Sequence, residues 1–178
     1  MEFYTMNIAG YERSLPICEV NEHLDIAGFV IFSDVELTIA ASKALIEKCP
    51  DFDFVVTAEA KGIPLAYEMA RQTGKQYFIC RKKPKLYMKE PVSVTVKSIT
   101  TASIQTLYLD SLEGDQLTGK RVLIVDDVIS TGESLSAIED LVNRFDADIV
   151  AKCCVLAEGD AAKRDDIIYL EELPLFFK

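Results

Sequence analysis

The chain has 178 residues, 49% hydrophobic and 27% charged, which fits one domain with a buried core and excludes a disordered polymer or a disulfide-stapled peptide. Its 29 acidic and 19 basic residues leave a formal charge of −10, which disfavours binding through nucleic-acid phosphates, so any anion site has to be a local cluster. No stretch approaches the ~20 apolar residues of a membrane span, and the N-terminus lacks a basic region followed by an apolar one. A cytoplasmic protein with no membrane or nucleic-acid partner is expected.

In chain order, residues 1–33 read as extended segments with turns, 27–32 being the clearest strand. Asp34 caps a helix over Val35–Lys48 that Pro50 ends. An apolar strand follows at 52–57, then a helix over Ile63–Thr73 with Pro64 in its first turn and Gly74 just past its end. After a strand at 76–80 comes a long polar stretch, 81–104, with weak strand character at 92–96. Segment 121–126 is a strand, 133–144 a helix, and 149–157 a strand. In that helix Leu135, Ile138, Leu141, Val142 and Phe145 share one face. Residues 167–178 form a short apolar tail.

These strands are continuously apolar rather than alternating, which predicts burial on both faces, as in a parallel sheet. The expected fold class is α/β: a doubly wound, mostly parallel sheet with helices on both faces and ligands at the carboxyl ends of the strands. The chain reads as a single domain, 1–178, with a core over about 34–159. A small cap is expected from the N- and C-terminal segments, about 1–33 and 160–178.

The five cysteines, Cys18, Cys49, Cys80, Cys153 and Cys154, are odd in number and show no C-x-x-C spacing, and His23 is the only histidine. A zinc site and a histidine-based triad are therefore disfavoured. Cys80, Cys153 and Cys154 lie in apolar runs and read as buried thiols.

The strongest chemical signal is Arg121-Val-Leu-Ile-Val-Asp-Asp-Val-Ile-Ser-Thr-Gly-Glu-Ser134, an apolar strand ending in two acids and a hydroxyl-rich loop that opens a helix. Backbone amides of Ser130, Thr131, Gly132, Glu133 and Ser134 sit where a helix N-terminus can surround a phosphate. Asp126 and Asp127 are placed to accept hydrogen bonds from sugar hydroxyls. A helix cap alone explains one serine but not two adjacent acids behind a buried strand. Arg81, Lys82, Lys83, Lys85 and Lys89 add five of the 19 basic residues within nine positions beside a strand end, a candidate pyrophosphate clamp. The run Gly114-Asp-Gln-Leu-Thr-Gly-Lys120 has the spacing of a nucleotide P-loop, but Arg121 follows it where Ser or Thr is required, and it precedes a strand. It reads as a turn.

Segment 122–134 resembles the phosphoribosyl-pyrophosphate motif of the type I phosphoribosyltransferases. Ala58-Glu-Ala-Lys-Gly62 resembles the pyrophosphate loop of the adenine enzymes, with Lys61 where arginine is usual, and Arg81-Lys-Lys-Pro-Lys-Leu86 resembles the start of a mobile catalytic loop, here about 82–104. The resemblance implies a magnesium-dependent pentosyltransferase of purine salvage that is a homodimer. Its partners would be phosphoribosyl pyrophosphate and a purine base, and its Mg²⁺ would arrive with the donor, with no direct protein metal ligand. Catalysis would rest on Asp126, Asp127, Lys61 and Arg81. Pyrophosphate would be held by Glu59, Ala60, Lys61, Gly62, Arg81 and Lys85, and the 5′-phosphate by residues 130–134.

For the base, Ala27-Gly-Phe-Val-Ile-Phe-Ser-Asp34 resembles the adenine enzymes' cap segment, in which Phe32 would stack on the purine, and Val128 would pack on its other face. Val96-Lys-Ser-Ile-Thr100 lacks the glutamate of the adenine pattern and is closer to xanthine enzymes and purine-repressor effector domains. Glu90 is a candidate substitute for that acid. Val155-Leu-Ala-Glu-Gly-Asp160 has acids where enzymes for 6-oxopurines tend to place lysine, and an acceptor suits an exocyclic amine. Adenine is the first expectation and xanthine the second. A phosphoribosyl-pyrophosphate sensor without turnover is the alternative of another class; the net charge and the lack of room for a winged helix count against it.

Overall fold

Apolar runs and amphipathic stretches alternate along the chain and set its elements. The computed structural model describes residues 1–97 and 104–178. It begins with β1 (Phe3–Ile8), β2 (Tyr11–Asn21) and β3 (Leu24–Ala27), followed by α1 (Val35–Lys48), β4 (Phe54–Ala58), α2 (Ile63–Thr73) and β5 (Gln76–Cys80). Then come β6 (Pro91–Lys97), β7 (Ile104–Asp110), the short α3 (Ser111–Gly114), β8 (Arg121–Ile129), α4 (Glu133–Asn143), β9 (Asp148–Glu158), β10 (Ile168–Leu173) and β11 (Leu175–Phe177).

Five strands form a wholly parallel central sheet in the order β10-β9-β8-β4-β5. Val122, Leu123, Ile124 and Val125 on β8 are fully buried, as a central strand covered on both faces demands. Leu37, Ala41 and Leu45 of α1 and Leu65, Ala66 and Met69 of α2 cover one face, and Leu135, Ile138, Leu141 and Val142 of α4 cover the other. Each such leucine contributes roughly 1.5–3 kcal/mol by leaving water. The Asp34 carboxylate accepts the Leu37 amide at 3.2 Å to start α1. Gly74 ends α2 at φ +68, where a left-handed residue is needed. None of the described helices is long and apolar enough to cross a membrane.

Two expectations need correction, and the strand character expected at 92–96 is found as part of a hairpin. The strand expected at 27–32 is instead β3, which stops at Ala27. Beyond it Phe29 and Ile31 are buried while Val30 and Phe32 are exposed, so unpaired chain imitates the two-residue period of a strand. The C-terminal segment does not belong to the cap as a whole: β10 completes the central sheet beside β9, and β11 pairs antiparallel with β3 in the four-stranded cap sheet β1-β2-β3-β11. The polar stretch 81–104 contains β6, which forms an antiparallel hairpin with β7. Val94, Leu107 and Leu109 pack from this hairpin into the core on the α4 side. Residues 98–103, including most of the segment compared with xanthine enzymes, lie outside the described residues.

Candidate active site

The sheet brings the three chemically loaded loops to one edge. Register pairs Ala58 at the end of β4 with Cys80 at the end of β5, so residues 59–62 and 81–85 leave adjacent strands side by side. β8 runs next to β4, with Val56 opposite Ile124, and carries Asp126 and Asp127 toward the same end.

Between β4 and α2 the Glu59–Ala60 peptide is cis, and Gly62 precedes the helix. Gly62 cannot carry a side chain without displacing a neighbour: a Cβ there would lie 2.1 Å from the buried Thr57 Oγ1 and 3.3 Å from Asp126 Oδ1. Close backbone approach is thus built into this turn. Lys61 reaches across it, its Nζ 3.1 Å from Asp127 Oδ2 as an ion pair without hydrogen-bond alignment, and 3.5 Å from the Phe29 carbonyl.

Asp127 is buried and Asp126 partly so. The Asp127 amide donates to Asp126 Oδ1 at 2.8 Å. Burial, joined by the neighbouring charge of Asp127, pushes the Asp126 carboxyl up to about 8. Burial thus favours the protonated form of Asp126, while Asp127 beside it faces the Lys61 ammonium.

Downstream, Ser130, Thr131 and Gly132 form the turn into α4. Gly132 adopts φ +82, and the Ser136 amide donates to its carbonyl at 2.9 Å. Residues 128–135 and Asp126 line a cavity of about 110 Å³ at the helix N-terminus. Its amides and hydroxyls suit a phosphate-sized anion. The Ser134 hydroxyl donates to Gln105 Oε1 on β7 at 3.3 Å, tying the hairpin to this loop.

Glu59 joins the other two loops. Arg81 Nε donates to Glu59 Oε1 at 2.5 Å, and the Lys82 amide donates to Oε2 at 2.8 Å. Against the cost of burial, the Lys82 amide and the Arg81 guanidinium hold the Glu59 carboxyl below its ordinary value. Arg81 also donates to the Tyr87 hydroxyl at 2.7 Å. Lys85 is partly buried, its carbonyl accepting the Met88 amide at 3.0 Å. Lys61 thus faces Asp127, whereas Arg81 and Lys85 lie beside Glu59, which is turned toward Arg81 as a tether. The proposed base residues divide. Val128 lines the cavity and packs on the core that includes Phe29 and Ile31, whereas Phe32 leaves 46% of its surface in solvent.

Thr57, Tyr87, Gln105 and Arg164, whose Nη1 occupies the place a Gly132 side chain would take, enter this arrangement without having been picked out in the sequence. Isolated residues of common type carry no motif; only contact reveals them. Among the described residues no group of three or more His, Cys, Asp or Glu side chains is placed to hold a metal ion. The carboxylates of Asp126 and Asp127 are nonetheless hard oxygen donors of the kind that fits a hydrated magnesium brought in by a substrate.

The family described as "Phosphoribosyl transferase domain" matches residues 35–173. The chain is 34% identical over 137 residues to a hypoxanthine/guanine phosphoribosyltransferase of Methanococcus voltae, covering 77% of this chain and 70% of that one. It is 34% identical over 153 residues to the enzyme of that name from Methanothermococcus okinawensis, covering 83% and 80%. It is 40% identical over 109 residues to that from Methanocaldococcus vulcanius, spanning 56% of the latter's length. Among solved structures, adenine phosphoribosyltransferase from Thermoanaerobacter pseudethanolicus superposes with a TM-score of 0.68 at 23% identity, over 80% of this chain and 84% of that one. The same enzyme from Rhodothermus marinus gives 0.63 at 23% identity, over 78% and 79%. At these identities the structures establish the shared fold. With the family matched over residues 35–173, the chain belongs to the phosphoribosyltransferases.

Proposed function

We propose that the protein is a purine phosphoribosyltransferase that moves the 5-phosphoribosyl group from phosphoribosyl pyrophosphate to a ring nitrogen of a purine. The observation that carries this is the acid pair Asp126-Asp127 set beside the phosphate-sized cavity of residues 128–135 and faced by Lys61. In the reaction the sugar C1–oxygen bond breaks and its electron pair leaves with pyrophosphate. The purine nitrogen bonds C1, and its proton passes to solvent. Asp126 and Asp127 hold the ribose hydroxyls, residues 130–134 hold the 5′-phosphate, and Lys61, Arg81 and Lys85 neutralise the leaving group. Magnesium on the donor supplies further neutralisation of the pyrophosphate when bound.

For the acceptor we infer adenine, because Glu158 at the end of β9 offers an acceptor to an exocyclic amine. Hypoxanthine or guanine is the second reading, favoured by relatives of that name at 34–40% identity. Pyrophosphate release from the donor and magnesium, measured with adenine, hypoxanthine, guanine and xanthine in turn, tests both. Turnover with adenine supports the Glu158 argument; turnover with a 6-oxopurine alone overturns it. Donor binding with no base consumed leaves a sensor, and Asp127→Asn serves as the inactive control.

We also propose a homodimer through the exposed face of α1 and α2. Val35, Ile39 and Tyr67 are largely exposed there, and Glu36 and Lys43 lie two helical turns apart on α1. Two-fold antiparallel packing of α1 on its copy sets each charge against its opposite. Ile39→Asp is expected to give monomers in light scattering; a wild type that is itself monomeric overturns the proposal.

A further inference from the structure

Gly132 opens α4 in a left-handed conformation, and the place where its side chain would stand is taken: a Cβ there would lie 2.5 Å from Nη1 of Arg164. Arg164 comes from the turn after β9, remote in sequence from the phosphate loop. Asp166 fixes its orientation. Nε donates to Oδ1 at 2.8 Å and Nη2 to Oδ2 at 2.7 Å, a side-on pair. A guanidinium held by that edge points its third nitrogen the opposite way, and here that nitrogen meets Gly132.

Asp166 is held in turn. It accepts Lys152 Nζ at 2.7 Å, and Lys152 also donates to Glu139 at 2.8 Å. The run Glu139, Lys152, Asp166, Arg164 alternates in charge from the middle of α4 around to its first turn. Solvent reaches only 15% of the Lys152 side chain but 31% of that of Arg164 and 43% of that of Asp166, so the link is sheltered at its lysine and open to solvent at Asp166. The cavity is lined by residues 128–135 and Asp126, with Arg164 behind Gly132.

We propose that Arg164 is a positioning residue for phosphate recognition: its third nitrogen braces Gly132, keeps the amides of residues 130–134 aimed into the cavity, and places a positive charge at the back of the loop. The inference rests on the reading of that loop as the 5′-phosphate site. The charge favours a dianionic phosphate over a monoanion, and the brace favours ligands that use the loop over those that do not.

The test is calorimetric titration of the full chain with ribose 5-phosphate and, separately, with magnesium pyrophosphate. Arg164→Gln is expected to weaken ribose 5-phosphate about tenfold and to leave pyrophosphate unchanged. Arg164→Lys keeps the charge without the fork and should fall between. The gain in ribose 5-phosphate affinity from pH 5.5 to 7.5, as the phosphate loses its second proton, should shrink in Arg164→Gln. Equal affinities in wild type and Arg164→Gln overturn the proposal, as does equal weakening of both ligands, the mark of a merely structural role. A wild type that binds pyrophosphate but no ribose 5-phosphate overturns the reading of the loop itself.

Discussion

Glu59 and Arg81 tie the ends of neighbouring strands β4 and β5 together, the Arg81 Nε lying 2.5 Å from Glu59 Oε1 while the Lys82 amide binds Oε2. One carboxylate thereby orients both the turn before α2 and the start of the basic segment. Glu59→Gln keeps the size but loses the charge that holds Arg81. We expect kcat/KM for the phosphoribosyl donor to fall about tenfold. Because both side chains keep some solvent exposure, stability should drop by no more than about 1 kcal/mol. Steady-state kinetics and urea titration of the same preparation separate the two effects; unchanged kinetics would show that Arg81 is positioned without Glu59.

That tether marks the boundary of what the sequence alone discloses. The run from Arg121 to Ser134 is legible because strand, acids, loop and helix cap occur consecutively, each with a local signature. Helices α1 and α2 are legible from Asp34, Pro64 and Gly74, which fix their ends by backbone chemistry. The place of β10 is not, since a six-residue strand with three charged or polar neighbours reads like any apolar tail until β9 supplies its partner. Segment 27–32 misleads in the other direction: Ala27, Phe29 and Ile31 enter one core cluster while Val30 and Phe32 face solvent, a two-residue period without a strand partner. Arg164 touches the phosphate loop from a distant part of the chain, and Thr57 is one residue of a buried strand with nothing local to single it out, so no spacing rule reaches either.

Gly62 packs so closely on Thr57 that its replacement has a readable cost. In Gly62→Ala the new methyl would stand 2.1 Å from Thr57 Oγ1, an atom that is fully buried. The backbone of Gly62 is right-handed, so crowding rather than dihedral strain is at issue. Overpacking of this kind costs roughly 1–3 kcal/mol. Adding Thr57→Ala removes the obstructing oxygen, and the double variant is expected to recover most of the loss in urea titration. A double variant no more stable than Gly62→Ala would place the crowding elsewhere.

Phe32 stands apart from the core, with nearly half of its surface exposed. An aromatic left in solvent at the proposed base site costs little to remove from the folded protein. Phe32→Ala should shift stability by about 0.5 kcal/mol or less, yet raise the KM for the base several-fold, on the order of one stacking interaction. The donor KM should stay near that of the wild type. If base and donor KM values both remain unchanged, the stacking role passes to another residue.

Asp126 gives the protein a pH dependence of definite sign. Its carboxyl is raised from 3.8 to about 8 by burial and by the charge of Asp127, so between those values the folded chain holds a proton that the unfolded chain has released. Stability from this group is fully present below about pH 4 and is lost as pH rises toward 8. Asp126→Asn keeps the shape without the ionisation, so relative to wild type it should gain stability progressively across that interval, by several kcal/mol (on the order of 5) at pH 8. Comparing Tm of the two proteins from pH 5 to 8 checks the sign: the wild-type curve should fall away from the variant as pH increases. Parallel curves would mean that Asp126 is already ionised at pH 5. Turnover should fall in the variant, because the amide offers the ribose hydroxyls one acceptor oxygen where the carboxyl offers two.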